Sequence, residues 1–260
     1  MASALIGGLI QRGTAASHIA VVEPLEGARA DLLARYGVQA HSAADVFLQD
    51  AALVVWAIKP QTFAPAAQAA QAYTRAALHL SVAAGIRSDT LAQWLHSERI
   101  VRAMPNTPAL IGQGISGLYA RAGVSAADKA QIEQVIGCTG RFMWLDAEAQ
   151  IDAVTALSGS GPAYVFYFLE AMREAGSAMG LTPAQSYQLA IATFSGASAL
   201  AAASSDAPEL LRERVTSKGG TTFAALNAME VAGIKPAFMA AMQAARQRAQ
   251  ELGDAFGAPP

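Results

Sequence analysis

Up to Glu148, short apolar runs alternate with segments whose apolar positions recur every three or four residues; beyond it only the second spacing remains. Residues 1–12 carry helical spacing, with Gly13 as the stop. Residues 18–23 (His-Ile-Ala-Val-Val-Glu) form a short apolar run ending in an acid and read as a strand. Residues 24–36 read as a helix, with Pro24 near its first position and Gly37 past its end. Residues 51–58 are continuously apolar, the pattern of a strand buried on both faces. Lys59-Pro60 closes that run, and 63–72 is helical. A strand at 77–82 leads into the tight Ala83-Ala84-Gly85 turn; 91–96 ends a helix, and 100–103 is another strand. Strands alternating with helices predict a parallel, doubly wound sheet.

The texture then changes. Met104-Pro105-Asn106-Thr107-Pro108 reads as an extended turn, 112–120 as an extended segment, 125–137 as a helix capped by Ser125, and 142–145 as a last short strand. From Ile151 the spacing is helical throughout: 151–157, 162–179, 183–203, 208–214, 222–231 and 236–252, several of them opened by proline. The expected architecture is an α/β Rossmann-like domain over 1–148 followed by an all-α domain over 149–260, with the tail from Gly253 expected to fray.

Composition narrows the classes. A chain of 260 residues with 53% hydrophobic and 15% charged residues can bury one large core or two domains, and disorder is not expected. A net charge of −2 offers no basic field, so no nucleic-acid partner is expected. Cys138 is the one cysteine, which excludes an internal disulfide framework and fits a reducing compartment, hence a cytoplasmic placement. The histidines at 18, 41, 79 and 96 lack metal-ligand spacing, so no metal is expected. The first residues have no basic lead-in of a signal peptide. Residues 175–205 carry no charge, but Pro183, Gln185, Gln188 and many small residues favour a buried helix pair at a subunit interface over a membrane span.

Two stretches carry candidate chemistry. The loop Arg214-Val215-Thr216-Ser217-Lys218-Gly219-Gly220-Thr221-Thr222 runs into a helical pattern at 223–231. A helix start offers unpaired N–H groups and the positive end of its dipole. Gly219 and Gly220 let a ligand approach the backbone, Ser217, Thr221 and Thr222 add hydroxyls, and Lys218 adds charge, which together suit a small carboxylate or a phosphate. Taken alone, the loop reads first as a capped helix start after a flexible loop, and nothing more. The second stretch is the beginning. A dinucleotide-binding unit opens with a strand and Gly-x-Gly-x-x-Gly at a helix start, whereas here the helical pattern begins at the first residue, and Gly7 and Gly8 come too late for that turn. Yet Glu23 ends a strand where the acidic ribose ligand of such folds belongs. The chain reads as a Rossmann-like domain whose first strand and glycine loop are missing, with Met1 an internal methionine; the alternative is a different α/β fold without a nucleotide site. Loss of that strand would expose two neighbouring edges, so poor folding or weak cofactor binding is expected of the chain as it stands.

Four motifs resemble the Δ1-pyrroline-5-carboxylate reductases of proline biosynthesis: Ala57-Ile58-Lys59-Pro60-Gln61, Arg102-Ala103-Met104-Pro105-Asn106-Thr107-Pro108, the segment 152–164 containing Leu157-Ser158-Gly159-Ser160-Gly161-Pro162, and the loop 214–222. They stand in the family's order, and the resemblance runs from residue 1 to about 252. It implies an N-terminal domain that binds NADPH or NADH, a helical domain that dimerises by interleaving helices, dimers that assemble into decamers, and an active site formed between one subunit's Rossmann domain and its partner's helical domain. It further implies hydride transfer to the C=N carbon of 1-pyrroline-5-carboxylate, giving L-proline, with the cofactor carrying the difficult chemistry.

On this resemblance the substrate carboxylate is held by Ser217, Gly219, Gly220, Thr221 and Thr222, and Lys218 loses weight because the family often has proline there. Ser158, Gly159 and Ser160 bring backbone to the substrate, or form a purely structural bend that Asp152 and Thr155 orient. Thr222 matches the threonine that hydrogen-bonds the substrate nitrogen; proton delivery by Thr222, by water or by an already protonated imine stays open. Lys59 is a candidate both for catalysis and, with Glu23, Ala57, Ile58, Pro60, Asn106 and Thr107, for the cofactor. Glu23 favours a ribose hydroxyl over a 2′-phosphate, so NADH is expected to serve at least as well as NADPH. The competing expectations are a related imine or β-hydroxyacid reductase, and an N-terminally truncated, inactive or non-catalytic oligomeric homologue.

Overall fold

The structure is a computed structural model that describes residues Met1–Gly257. The described residues separate into two compact units. One comprises Met1–Ser160 with the chain from Ala245 onward; the other is Gly161–Ala244.

In the first unit α1 (Ala2–Gln11), β1 (Val21–Val22), α2 (Glu26–Tyr36) and β2 (Ala40–His41) come first. They are followed by β3 (Leu53–Trp56), α3 (Phe63–Thr74), β4 (Leu78–Ser81), α4 (Ser88–Leu95) and β5 (Ile100–Met104). Then come β6 (Gly114–Ala120), α5 (Ala126–Gly137), β7 (Gly140–Trp144) and α6 (Gln150–Val154). Strands β3 to β7 form a five-stranded sheet in chain order, while β1 and β2 pair in parallel as a separate two-stranded sheet. Alternate strand residues enter opposite cores. Leu78, Leu80, Val101 and Ala103 join Leu5 of α1 and Ile132 and Ile136 of α5. On the other face Trp56 and Ile100 join Phe63 and Ala67 of α3 and Leu91 and Leu95 of α4. Each fully buried Leu, Ile or Phe side chain contributes about 1.5–3 kcal/mol of apolar burial.

Several expectations change. The 18–23 strand contracts to Val21–Val22, because Ala16–His18 forms a 3-10 turn. The two-residue β2 carries too little pattern to be read. The sheet is mixed: β5 and β6 are antiparallel, Met104 pairing with Gly117. Their connection contains only the 3-10 turn Thr107–Ile111, with no helical crossover to return the chain in parallel. The apolar run at 51–58 is not buried on both faces, since β3 is the edge of its sheet and only Trp56 is fully buried in it. A strand and glycine turn ahead of α1 are not among the described residues.

Caps follow sequence chemistry. Ser125 and Asp128 close a capping box on α5, with the Ser125 Oγ accepting the Asp128 amide at 3.1 Å and the Asp128 carboxylate accepting the Ser125 amide at 2.9 Å. Gly37 ends α2 in the left-handed conformation.

The second unit contains α7 (Gly161–Ala178), α8 (Pro183–Ala202), α9 (Pro208–Arg214), α10 (Thr221–Val231) and the start of α11 (Ile234–Gly257). Helices α7 and α8 approach closely at Gly176, where an added Cβ would lie 2.5 Å from the Ser186 hydroxyl. Phe238 meets Tyr164 and Phe168 edge-on at 5.6 Å. Most of its large apolar side chains are exposed, including Tyr167, Met179, Leu200 and Val231. The compact division falls after the boundary read at 148/149 because α6 packs on β5 and β6, and the last turns of α11 return to Gly85 and Arg87. Helix α11 continues through Gly257, so the expected fraying is not seen from Gly253 to Gly257; residues 258–260 lie outside the described residues. No described helix is long and apolar enough to cross a membrane.

Candidate active site

Parallel pairing of β3, β4 and β5 sets their carboxyl ends side by side, with Trp56 opposite Ser81 and Ser81 opposite Arg102. Ligands of open α/β sheets bind outside such ends. Three segments emerge there: Ala57-Ile58-Lys59-Pro60, Val82-Ala83-Ala84-Gly85 and Pro105-Asn106-Thr107. Lys59 is exposed and precedes a 3-10 turn at Pro60–Thr62, where its carbonyl accepts the Thr62 hydroxyl at 3.0 Å. Gly85 sits at φ +76 against Leu252 and Phe256 of α11, a backbone angle that a Cβ would strain. The Asn106 Oδ1 accepts the Ile115 amide at 3.0 Å, so this side chain ties the strand end to β6 and leaves its amide nitrogen as donor.

Above β5 lies a π-helical turn, Thr155–Gly159, which continues α6 and runs into α7. Its wide turn is closed by the Ser160 amide donating to the Thr155 carbonyl at 2.8 Å. The Ser158 hydroxyl donates to the Val154 carbonyl at 3.1 Å and the Thr155 hydroxyl to the Ile151 carbonyl at 2.8 Å. The segment is therefore a widened helical turn rather than a break, a distortion found frequently at functional sites. Gly159 packs directly on Met104, the last residue of β5: an added Cβ would lie 2.5 Å from the Met104 Cε. The structure thus brings Ser158, Gly159 and Ser160 to the strand end that carries Asn106 and Thr107.

An ion network fixes this corner. The Arg102 side chain is buried in β5, and its Nη1 donates to Glu148 Oε1 at 2.6 Å. The same oxygen accepts the Ser88 amide at 2.6 Å, so a carboxylate caps the start of α4 and neutralises a buried cation together. Burial pushes the carboxyl of Asp152 up, opposed by Arg102, Arg87 and Arg246. Burial also pushes the Cys138 thiol up, which disfavours the nucleophilic thiolate. Among the described residues no group of three or more His, Cys, Asp or Glu could hold a metal ion.

At the end of β1 the Glu23 amide donates to the His41 carbonyl at 2.8 Å, carrying the β1–β2 pairing one residue further. Glu23 Oε1 accepts the Leu25 amide at 2.9 Å. Arg29 Nη1 donates to the carbonyls of Glu23 and Pro24 at 2.9 and 2.7 Å.

In the helical unit the 214–222 loop is a helix start. Gly220 is the N-cap of α10, with no side-chain cap bond, and Ser217, Thr221 and Thr222 are exposed. Gly219 adopts φ +74 with open space around it. The Gly220 amide is already committed to the Ser217 carbonyl at 3.0 Å, so it is not part of an anion hook. The amides left for one are those of Thr221, Thr222 and Phe223, the first-turn donors that a helix does not pair.

Sequence reasoning missed four spatial relationships. The 82–85 turn lies at the same sheet edge, a placement that only strand order reveals. Met104 and Gly159 meet through tertiary packing. The Arg102–Glu148 pair spans distant segments, and Arg29 acts on main-chain carbonyls, which have no residue signature.

The match to known proteins is extensive. Residues 148–252 match the family model for pyrroline-5-carboxylate reductase dimerisation. Residues 1–85 match the model described as NADP oxidoreductase, coenzyme F420-dependent. The pyrroline-5-carboxylate reductase of Pseudomonas aeruginosa is 43% identical over 259 residues, spanning 99% of this chain and 95% of that protein. The structure of a pyrroline-5-carboxylate reductase from Coxiella burnetii superposes with a TM-score of 0.89 at 33% identity, covering 96% of this chain and 94% of that one. The pyrroline carboxylate reductase of Plasmodium falciparum, solved with NADP bound, superposes with a TM-score of 0.86 at 26% identity, with coverage of 96% and 94%. With that identity sustained over nearly its whole length, this chain belongs to the pyrroline-5-carboxylate reductase family.

Proposed function

We propose that this chain reduces the C=N bond of 1-pyrroline-5-carboxylate to give L-proline, with NAD(P)H as reductant. One observation carries the assignment of the substrate site: the uncapped start of α10, with two exposed threonine hydroxyls beside first-turn amides, on a chain of this family. The substrate is a cyclic imine bearing a carboxylate, and a helix start of this kind suits that anion.

The sheet edge fits a nicotinamide dinucleotide in its chemistry. The carboxylate of Glu23 stands at the end of β1 in the two-stranded sheet, the kind of strand end where a ribose diol is recognised, and the cation of Lys59 is exposed after β3 of the five-stranded sheet. Asn106 keeps an amide donor free for a carboxamide or substrate group, beside Thr107. Ala57, Ile58 and Pro60 supply the apolar and turn portions of the same edge. When bound, the cofactor supplies the hydride that reaches the imine carbon.

The residues of the chain bind and orient. The amides of Thr221, Thr222 and Phe223 hold the substrate carboxylate, with Ser217, the open backbone at Gly219 and the N-cap Gly220 shaping the approach. The Thr222 hydroxyl hydrogen-bonds the ring nitrogen, which must carry a proton for the C=N carbon to accept hydride; water or the substrate's own protonation supplies that proton, because an unperturbed threonine is too weak an acid. Ser158, Gly159 and Ser160 form a close-packed backbone wall over the end of β5. Lys59 acts through charge at the cofactor edge and takes no covalent part.

The family model over 148–252 is that of a dimerisation domain, and the exposed apolar helices suit a second copy of this chain. We take 1–148 as the cofactor domain and 149–260 as the dimerisation and substrate domain, with dimers gathered into decamers in the cytoplasm. The test follows loss of reduced cofactor upon addition of 1-pyrroline-5-carboxylate, with L-proline identified by chromatography. Turnover that yields proline supports the reading; absence of turnover with both NADH and NADPH overturns it.

A further inference from the structure

The turn after β4 is covered by the far end of the chain. Strand β4 lies between β3 and β5, so its turn, residues 82–86, is the central one at the edge where ligands of such sheets bind. Its own fastening is light. The Ala83 amide donates to the Ser81 hydroxyl at 3.3 Å, a long bond, and Ala84 is exposed. Gly85 then takes φ +76, and the last turns of α11 lie directly on it. An added Cβ at Gly85 would stand 3.0 Å from the Leu252 Cβ and 3.5 Å from the Phe256 Cδ2. Phe256 also packs against the core that contains Ala83 and Ile86. Gly253 is buried, and a Cβ there would lie 3.3 Å from the Nε of Arg87, whose guanidinium pairs with Asp254. Positions 252, 253 and 256 share one helical face. Helix α11 starts in the helical unit, but from Ala245 onward the chain belongs to the unit that carries the sheet, so the contact is internal to that unit.

We propose that Phe256, supported by Leu252, is a positioning residue for the nicotinamide dinucleotide: it holds the 82–86 turn in the one conformation that the cofactor meets. The proposal rests on the cofactor edge described above. Both side chains act through the turn. A turn fixed in one conformation binds at its intrinsic affinity, whereas a turn competent for only a fraction of the time binds more weakly by that fraction. The apolar contact carries the effect. The Arg87–Asp254 pair is a rim contact whose side chains are 51% and 68% exposed, and such pairs add little.

The test reads the turn and the affinity separately, on the 260-residue protein. Hydrogen exchange by mass spectrometry follows residues 78–90, and fluorescence titration gives dissociation constants for NADH and NADPH. In Phe256→Ala, exchange over 82–86 should quicken while exchange in α5 stays as in the parent protein. The dissociation constants should rise by about five- to tenfold, with kcat at saturating cofactor kept within about twofold. Phe256→Leu keeps apolar bulk and should return affinity to within about twofold of the parent. Asp254→Asn should change affinity by no more than about twofold. Leu252→Ala should move exchange and affinity in the same direction as Phe256→Ala, and carries the test if that variant does not fold. A lower melting temperature with exchange and affinity unchanged is packing alone and overturns the proposal. Weaker binding without faster exchange in the turn overturns it too, as does an effect of Asp254→Asn equal to that of Phe256→Ala. Failure of the unmodified protein to bind either cofactor overturns the cofactor edge itself, an outcome distinct from binding that the Phe256 and Leu252 variants leave unchanged.

Discussion

A Cβ built on Gly159 would lie 2.5 Å from the Cε of Met104, so the π turn rests on the last side chain of β5 with no space for one more carbon. The clash falls on the far end of a flexible side chain, which can turn away. Gly159→Ala should therefore fold, at a cost of about 1–2 kcal/mol, while displacing the Met104 thioether at the end of β5. Turnover should fall by about tenfold or more, since small misplacements at a reacting centre are expensive. Thermal melting compared with kcat checks this; a melting temperature that collapses along with activity would contradict it.

Thr222 is exposed at the second helical position of α10. Thr222→Ala should leave stability within about 0.5 kcal/mol, since it touches no core. It should lower kcat/KM for the imine by about 10- to 100-fold, the loss expected for a substrate hydrogen bond present in the transition state. Light scattering of the variant should still show the oligomer of the parent protein. Unchanged kcat/KM would remove Thr222 from the site.

His79 has no solvent exposure, and desolvation by burial lowers its pKa from 6.5 to about 4. Its Nδ1 accepts the Trp56 indole N–H at 3.1 Å, which fits a neutral ring. A histidine that protonates more readily unfolded than folded contributes stability in full above pH 6.5, and that contribution is lost as pH falls from 6.5 toward 4. The decline over that window should reach about 3 kcal/mol. Urea unfolding at stepped pH reads it directly, and His79→Gln, which keeps an acceptor for the indole, should flatten the slope. A slope identical in both proteins would clear His79 of this role.

Gly140 opens β7 at φ +138, paired with Gly114 of β6, and a Cβ there would lie 2.1 Å from the Gly114 carbonyl oxygen. Both backbone angle and space exclude a side chain, and here the obstacle is main chain that cannot rotate aside. Gly140→Ala should destabilise by on the order of 4 kcal/mol and yield little soluble protein. Gly112→Ala serves as the comparison: it also has positive φ but faces open space, so it should cost only about 1–2 kcal/mol.

Helix positions were legible because proline and glycine mark their ends: Pro183 and Pro208 begin helices, while Gly37 ends one. The strand cores at 53–56, 78–81 and 100–104 were legible from apolar runs. Sheet order was not, because the run at 53–56 has the same composition whether it lies at the edge or in the middle. The candidate site was legible only as motifs. Asn106, Ser158 and Thr222 stand out in sequence, but the commitment of the Gly220 amide and the bonds of Arg29 depend on backbone atoms that every residue shares.

Leu200 and Val231 are 73% and 83% exposed, and the helical unit buries few side chains of its own. Much of the energy that keeps its helices folded must then come from association, so folding and assembly share one equilibrium. The melting temperature should climb with protein concentration. Dilution should cost the enzyme its helical half as well as its partner, so that activity in a cell follows the amount of chain made more steeply than in proportion.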